Sequence, residues 1–176
     1  MPKEVVLETD RLLLRRHRRE DFDAFAAMWA APEVVRFIGG VPFTREQSWM
    51  RFLRHFGMWS LMGFGFFALE DRATGALCGE AGFLEARREI SPSLEGTLET
   101  GWALAPAAQG RGLAEEAVRA VLAWGGEAFP DKRKTCMIET GHAASLHIAE
   151  KVGFRHFASG TYQGKAMVLL EIVPSR

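Results

Sequence analysis

The stretch Gln109-Gly110-Arg111-Gly112-Leu113-Ala114 decides the fold, because it joins a predicted strand to a predicted helix. A glycine-rich turn that opens a helix leaves the first amides of that helix without intrahelical partners. These amides lie at the positive end of the helix dipole, where they can bind phosphate oxygens. The two glycines also let a ligand approach the backbone closely. The turn therefore predicts either an anion-binding loop or an ordinary helix start with two flexible residues.

Three phosphate-binding patterns compete for this turn, and two of them fail on residue type. No Lys-Ser or Lys-Thr pair follows the turn, which excludes a P-loop. A dinucleotide-binding fingerprint would put its third glycine at Glu115, where a carboxylate is unfavourable, and the strand order is wrong for that fold. The pattern that remains is Q-x-x-G-x-A, a pyrophosphate loop for an acyl-CoA donor.

The residues before the turn predict two helices and a run of strands. Asp21 begins an amphipathic helix that ends at Pro32, and Thr44 with Gln47 forms a capping box at the start of a second helix. Apolar runs separated by turn residues are typical of strands in an antiparallel meander. By this criterion we predict strands at residues 7–16, 64–70, 76–84 and 94–104.

The residues after the turn predict a strand-helix-strand-helix order and a closing hairpin. The helical period covers 112–124, and a shorter helix at 144–152 ends at Gly153. Further strands are predicted at 135–139, 154–158 and 166–172. The whole order predicts an α+β fold with a mixed, mostly antiparallel central sheet and helices on both faces.

Composition describes one globular domain over residues 1–176. The chain is 48% hydrophobic and 25% charged, and 22 basic residues balance 22 acidic ones. No overall charge therefore attracts nucleic acid or an anionic membrane. The most apolar stretch, 56–69, is too short to span a bilayer. With no secretion signal and with two distant cysteines, Cys78 and Cys136, we expect a cytoplasmic protein with no nucleic-acid or membrane partner.

Three more stretches carry a resemblance to a known family. They are LETDRLLLR at 7–15, ETGWALAP at 99–106 and IETGHAASLHIAEKVGF at 138–154. Together with the glycine-rich turn they resemble the GNAT superfamily of acyl-CoA-dependent N-acetyltransferases. The first stretch resembles the RimJ/RimL-like branch, which acetylates the N-termini of ribosomal proteins. The resemblance spans almost the whole chain and implies direct acetyl transfer from acetyl-CoA to a primary amine in a ternary complex.

The resemblance also implies where acetyl-CoA binds. The fourth and fifth predicted strands, on either side of the turn, would splay apart and hold the pantetheine arm between them. This assigns pantetheine contacts to the backbone of Trp102, Ala103 and Leu104, with an amide near Ala103 as oxyanion donor. The pyrophosphate would lie on the amides of Gln109, Gly110, Arg111, Gly112, Leu113 and Ala114. Arg111 is then either a cation beside the phosphates or a solvated surface arginine.

Two side chains are candidates for proton transfer. Glu99, at the start of the cleft strand, would take the amine proton through water, although charged residues are also common at strand ends. Many family members have a tyrosine proton donor at the position of Ala149, so the candidates here are Ser145, a water or Tyr162, the only tyrosine. Ser145 has helix capping as its alternative. His142 replaces the usual asparagine near pantetheine, and its titration predicts pH-dependent CoA affinity.

The acceptor side is predicted from two loops, 35–43 and 160–164. Arg36, Phe37, Trp59, Phe64 and Tyr162 would form an aromatic wall with a charge, or would be plain core. The acceptor is a protein N-terminus or a small-molecule amine.

The sequence also bears on metal binding, on alternative functions and on whether the protein forms a dimer. His142 and His147 are five residues apart, which does not suit a metal pair, so we expect no metal; His17, His55 and His156 are expected at the surface or in the core. The alternative functions are a non-catalytic acyl-CoA-binding module, a structural partner-binding domain and, within the enzyme class, a cysteine nucleophile. The tryptophan-rich N-terminal half makes a homodimer conceivable.

Overall fold

The computed structural model describes residues 5–172, beginning with two short antiparallel strands and three helices. Strand β1 (Leu7–Glu8) pairs with β2 (Leu12–Arg15), and the helices are α1 (Phe22–Trp29), α2 (Pro32–Val35) and α3 (Arg45–Met62). The predicted capping box starts α3, since the Gln47 amide donates to Thr44 Oγ1 and the Thr44 amide donates to Gln47 Oε1.

Three long strands follow in an antiparallel meander. They are β3 (Phe66–Asp71), β4 (Leu77–Leu84) and β5 (Leu98–Leu104). The turn between β3 and β4 is closed by Asp71 Oδ1, which accepts hydrogen bonds from the amides of Ala73 and Thr74. Two predicted strand starts were too early, because Phe64 precedes the ladder and Leu94 lies in a turn that the Thr97 amide closes onto its carbonyl.

The C-terminal half contains two helices and three strands. The elements are α4 (Leu113–Ala128), β6 (Lys134–Glu139), α5 (Ala143–Lys151), β7 (Arg155–Tyr162) and β8 (Lys165–Ile172). All eight strands form one sheet in the order β1-β2-β3-β4-β5-β6-β8-β7, and the β5–β6 pair is parallel while the others are antiparallel.

Helices cover both faces of the sheet. On one face, Leu113, Ala117 and Val121 of α4 pack against Phe67 and Leu98. On the other face, Phe25, Trp29 and Phe52 from α1 and α3 pack against Ala103 of β5. Ala103 and Leu98 point to opposite faces because side chains alternate along a strand. The α+β sheet with helices on both faces is as predicted.

Strands β5 and β6 are in contact over a short distance. Their pairing joins Leu98 to Lys134 and Glu99 to Thr135, whereas β5 pairs with β4 from Glu99 to Leu104. Beyond Glu99 the two parallel strands therefore diverge and leave a wedge-shaped gap in the sheet. This is the splay expected between the fourth and fifth predicted strands.

The prediction of one strand at residues 7–16 was wrong. The Leu12 amide donates to Thr9 Oγ1, and this local hydrogen bond turns the chain between β1 and β2. Short α2 was also missed: Pro32, predicted as the end of the first helix, instead occupies the first turn of this helix, which ends where the predicted loop at 35–43 begins.

The outward face of α3 is partly apolar. Trp49, Met50, Leu53 and Phe56 are exposed there, whereas Trp29 and Trp59 are buried. Of the tryptophans in the N-terminal half, which suggested a dimer surface, only Trp49 is therefore exposed among residues 5–172. Among residues 5–172, no helix is long and apolar enough to span a membrane.

Candidate active site

A cavity of about 140 Å³ lies where β5 and β6 diverge, and α1, α3 and the loop after α2 contribute residues to one side of it. Six of the predicted site residues line it: Phe37, Glu99, Trp102, Ala103, His142 and Ser145. Charged and aromatic side chains that were not predicted complete the wall: Trp29, Arg51, Phe66, Glu80, Arg88 and Glu139. The fold thus brings most of the proposed catalytic and pantetheine-binding residues to one place.

Glu99 is a buried carboxylate held by one arginine. Its side chain is 6% exposed, and Arg88 Nε donates to both of its oxygens at 2.8 and 3.0 Å. Burial raises the pKa of Glu99, and this effect outweighs the opposing attraction of Arg88. A carboxyl group with a raised pKa in a cavity is suited to accept a proton near neutral pH.

Ser145 and His142 form a pair at the start of α5. The Ser145 hydroxyl is 2.9 Å from His142 Nε2, and the imidazole stacks on Phe37 with ring centroids 4.4 Å apart. Burial lowers the pKa of His142 despite the opposing effect of Glu139, so the ring is neutral at pH 7. The helix-capping alternative for Ser145 is wrong, because its hydroxyl contacts this side chain and the N-cap position belongs to His142.

The cleft edge of β5 presents backbone groups of alternate residues. The Leu98 amide donates towards β6, to Arg133 O, while the Ala105 amide donates to Cys78 O at the β4 side. Amide directions alternate along a strand, so those of Thr100 and Trp102 face the cleft and that of Ala103 faces β4. Of the amides near Ala103, that of Trp102 therefore faces the cleft, whereas that of Ala103 itself does not.

The end of β5 is tied to the glycine-rich turn. The Gln109 side chain donates to the carbonyl of Leu104, at 3.1 Å. The Leu104 side chain belongs to the core and is 7% exposed, so a contact with pantetheine would come from its backbone, as expected.

The turn itself has the geometry of an open helix start. Gly110 and Gly112 have φ of +72° and +76°, a left-handed conformation that favours glycine. Within the described part of the chain, no side chain caps the N-terminus of α4. The Leu113 side chain is buried, and Ala114 is half-buried, so both would offer backbone groups to a ligand. The Gln109 amide donates to Pro106 O at 3.2 Å, so its predicted role as a phosphate donor was wrong. Within residues 5–172, the amides at 110–114 have no such partner and remain available to a ligand.

Arg111 has features of both predicted alternatives, a cation beside the phosphates and a solvated surface arginine. Its side chain is about half exposed, and its guanidinium lies 3.3 Å from Asp71 Oδ2. It is therefore a partly paired cation at the edge of the turn.

Three of the residues predicted for the acceptor wall lie elsewhere. Trp59 is 5% exposed and donates through Nε1 to Phe66 O, within the core beside Phe67. Phe64 is buried against Phe129. Tyr162 lies on β7 beneath the Arg88 guanidinium, 5.0 Å from the ring centroid. For Trp59 and Phe64 the alternative of plain core is therefore the one observed, since apolar residues in the core and in a binding wall have the same sequence pattern. Tyr162 is half-buried and is not among the described residues that line the cavity.

The loop at 35–43 does contribute to the cavity. Phe37 and Ile38 line it, while Arg36 is exposed and lies 5.2 Å above the Phe37 ring. Among the lining residues that the structure describes, none comes from 160–164. This side of the cavity is thus lined by the loop after α2 and by Trp29.

Glu80 and Arg51 are functional candidates that the sequence analysis missed. Glu80 is fully buried on β4, where Oε1 lies 3.4 Å from Arg51 Nη2, and the Arg51 guanidinium stacks on Trp29 at 3.8 Å. The signal was available, since Glu80 is the one charged residue in the apolar run 76–84. A buried charge is costly unless it is paired, so its presence marks a special position.

His17 and His55 complete this cluster. Glu80 Oε2 is 2.9 Å from His55 Nε2 and 3.5 Å from His17 Nε2. Burial lowers the pKa of His55, while Glu80 has a pKa well below its usual range because the nearby donors and Arg51 outweigh its burial. The cluster therefore contains an ionised carboxylate beside a neutral imidazole of His55. His17 and His55 are core residues and His156 is exposed, as expected.

The same three residues could hold a metal ion by distance alone. Their ligand atoms lie within 4.8 Å of one another. The imidazoles of His17 and His55, however, are stacked 4.8 Å apart and 13° from parallel, which directs their in-plane lone pairs along separate planes. A shared metal needs these lone pairs to converge at about 2 Å from each nitrogen. The arrangement fits a buried cluster of one carboxylate with close imidazoles better than a metal site.

The comparison with known families agrees with this geometry. The family model described as "Acetyltransferase (GNAT) domain" matches residues 11–155. The chain belongs to the GNAT acetyltransferase family. GNAT proteins are acyltransferases that bind acetyl-CoA, and their fold supports acetyl transfer to an amine. The predicted family and enzyme class are thus confirmed.

Several relatives share this GNAT fold. A solved GnaT-family structure from Bordetella pertussis is 37% identical, with a TM-score of 0.85 over 96% of this chain and 99% of that chain. The uncharacterized N-acetyltransferase p20 of Bacillus licheniformis is 27% identical over 85% of this chain and 82% of its own length. RimL, a ribosomal L7/L12 α-N-protein acetyltransferase in complex with coenzyme A, is 11% identical with a TM-score of 0.77 over 96% of this chain and 98% of that chain. At that identity, the likeness to RimL shows the shared fold.

Proposed function

We propose that this GNAT protein transfers the acetyl group of acetyl-CoA to a primary amine by direct attack in a ternary complex. The observation that carries the proposal is the position of Glu99 and Ser145, which line one cavity at the gap between β5 and β6. A base and a hydroxyl at the same cavity match the two proton transfers that the reaction requires.

Acetyl-CoA would bind along the gap. The cleft-facing backbone of Thr100 and Trp102 offers hydrogen bonds to the pantetheine amides, as an added strand would receive them. The diphosphate would lie on the free amides of residues 110–114, at the positive end of α4. The thioester would then lie at the narrow end of the gap, next to Glu99.

The reaction would proceed in two steps. Glu99 accepts a proton from the ammonium group of the acceptor, directly or through one water, and the neutral nitrogen attacks the thioester carbon. The oxyanion of the tetrahedral intermediate accepts a hydrogen bond from a cleft-facing β5 amide. The C–S bond then breaks, and the thiolate takes a proton from the Ser145 hydroxyl. The nitrogen of the new amide gives up its second proton through water, which resupplies the hydroxyl, and the proton on Glu99 leaves to solvent.

An acyl-enzyme route through cysteine has little support. Burial raises the pKa of Cys78 to about 11, and it raises that of Cys136 further. Both thiols are buried in strands, and a protonated thiol is a poor nucleophile. Direct transfer is the simpler chemistry for this cavity.

The acceptor would be the end of a protein chain or a small-molecule amine. A cavity of about 140 Å³ holds roughly five water-sized groups, so it would admit the tip of an acceptor and leave the remainder outside. RimL, which shares the fold, is a protein N-terminal acetyltransferase by name. This makes short N-terminal peptides the first acceptors to test beside small amines.

The test is a thiol-release assay with saturating acetyl-CoA and a panel of peptides and small amines. We expect amine-dependent release of CoA, with kcat/KM reduced roughly 10²–10⁴-fold in Glu99→Gln and less strongly in Ser145→Ala. Glu89→Gln, an exposed residue of the preceding loop, is the matched control and should retain activity.

Two results would contradict the proposal. Full activity of Glu99→Gln would remove its role as base. A thermal shift with CoA but no turnover with any amine would favour the alternative of a non-catalytic acyl-CoA-binding module.

A further inference from the structure

The N-terminal segment that carries the LETDRLLLR stretch crosses the first turn of α4. Thr9 Oγ1 donates to Glu116 Oε1 at 2.6 Å, and the Arg11 amide donates to the same oxygen at 2.9 Å. Arg11 Nε donates to Glu116 Oε2 at 2.7 Å, so both carboxylate oxygens are bound. Residues more than 100 positions apart in sequence thus meet at the start of this helix.

The same arginine also contacts the glycine-rich turn. Arg11 Nη1 donates to the carbonyl oxygen of Arg111 at 2.8 Å. That carbonyl belongs to the peptide unit whose N–H is on Gly112, and in a planar trans peptide the two groups point in opposite directions. Arg111 lies between two glycines, whose backbone can adopt several conformations. The hydrogen bond from Arg11 to the Arg111 carbonyl therefore helps to fix the direction in which the Gly112 N–H points.

The first turn of α4 carries two carboxylates that would repel an anion. Glu115 is paired with Arg119 at 2.9 Å and with Lys151 at 3.2 Å. Burial would raise the pKa of Glu116, but its hydrogen bonds to Thr9 and Arg11 outweigh burial and lower it. Glu116 is therefore ionised at neutral pH, and Arg11 is the side-chain cation paired with it among residues 5–172.

We propose that Thr9 and Arg11 are positioning residues for the diphosphate of CoA. Arg11 cancels the charge of Glu116 and holds the Arg111–Gly112 peptide so that its amide faces the ligand, while Thr9 keeps Glu116 turned towards Arg11. The inference rests on the proposed binding of the diphosphate at residues 110–114. It assigns to the LETDRLLLR stretch an effect on coenzyme affinity, in addition to its place in the sheet.

The test measures equilibrium binding of three ligands. CoA and dephospho-CoA both contain the diphosphate and differ only in the 3′-phosphate, whereas pantetheine lacks the diphosphate together with the nucleotide. An effect on the diphosphate should therefore appear equally with CoA and dephospho-CoA and be absent with pantetheine. We expect Arg11→Gln to weaken CoA binding roughly tenfold, by leaving a carboxylate uncompensated at the helix start, and to leave pantetheine binding unchanged. The double variant Arg11→Gln/Glu116→Gln should recover part of the lost CoA affinity.

The controls separate positioning from stability. Arg45→Gln removes an exposed ion pair of 2.6 Å with Asp23 and should change binding of none of these ligands. Arg11→Lys keeps the charge and should lose less CoA affinity than Arg11→Gln. If Arg11→Gln does not fold, Glu116→Gln still tests the proposal, because deleting the carboxylate should leave CoA affinity equal or higher.

Three outcomes would overturn the inference. They are equal loss of CoA and pantetheine affinity in Arg11→Gln, unchanged CoA affinity in Arg11→Gln, and a clear loss of CoA affinity in Glu116→Gln. Because the test measures binding, it is independent of turnover, and an absence of amine acetylation would count against the proposed function alone.

Discussion

Arg88 sets the proton affinity of the proposed base. Its Nε binds both oxygens of Glu99 and its guanidinium lies over Tyr162. Burial raises the pKa of Glu99 and Arg88 counteracts it, so removal of Arg88 must raise this pKa further. Tyr162, predicted from sequence as an acceptor contact or proton donor, supports this arginine instead.

This coupling predicts a shift in the pH dependence of the reaction. Glu99 accepts a proton only when it is ionised, so the acid limb of kcat/KM should move to higher pH in Arg88→Gln. The measurement is kcat/KM between pH 5 and 9. Arg87→Gln changes an exposed neighbour and should leave the limb in place. An unmoved limb in Arg88→Gln would argue against Glu99 as the base.

At the scale of single residues, the chemical role of a side chain was easier to predict from the sequence than its position in the structure. Glu99, His142 and Ser145 were found because a family motif fixes their places relative to the splayed strands. Trp59 was misplaced, because nothing in an apolar helix tells which aromatic ring meets a ligand. Glu80 was overlooked, although a charge inside an apolar strand is itself a signal.

Among the elements, the glycine-rich turn and α4 are the parts that bind the coenzyme in this proposal. Gly112 has φ of +76°, and a Cβ there would have an ordinary contact of 3.6 Å with Arg11 Nη2. The cost of Gly112→Ala is therefore conformational, roughly 1–2 kcal/mol of stability. Because that strain also favours another backbone conformation, the amides of the turn should be displaced.

A matched pair of glycine substitutions tests this. Gly112→Ala should lower the free energy of unfolding and raise KM for acetyl-CoA. Gly126→Ala, inside α4 and with no described atom within 4 Å of its Cβ position, should raise stability by about 0.5–1 kcal/mol and leave KM unchanged. Urea unfolding and steady-state kinetics give both quantities. Equal kinetics in the two variants would show that the conformation of Gly112 does not matter for binding.

Elements were predictable where a local signal marks their ends. The capping box at Thr44 and Gln47 placed the start of α3 correctly. The break between β1 and β2 was not predicted, because it depends on a hydrogen bond between Thr9 and Leu12 that a run of leucines conceals. The α2 helix is a single turn, too short for a periodic pattern.

For the whole molecule, the short β5–β6 contact links coenzyme binding to the stability of the folded state. Two residue pairs join the strands, and a ligand in the gap would bond to both sides. A ligand that binds the folded state alone, at 100 times its dissociation constant, adds about 2.7 kcal/mol, or roughly 5–10 °C in Tm for a chain of this size. We expect CoA to give this shift and to slow amide hydrogen exchange at Thr100 and Trp102. A Tm shift without such protection would place the coenzyme elsewhere.

Two kinds of sequence information predicted parts of the overall arrangement: the order of the elements and the family resemblance. Alternating elements predicted an α+β fold, but periodicity alone does not give the order in which strands pair. The return of β8 to lie between β6 and β7 is a long-range choice. The divergence of β5 and β6 was expected from the family resemblance, since no single residue in either strand announces it.

The unpaired edge of β5 also limits which molecules can enter the sheet. Such an edge is normally a hazard, because any extended chain can add to it. Here β6 bounds the opening on its far side, so in the proposed binding mode we expect the slot to admit one extended molecule and to exclude a further strand. The pantetheine arm would then cover an edge that could otherwise take part in aggregation.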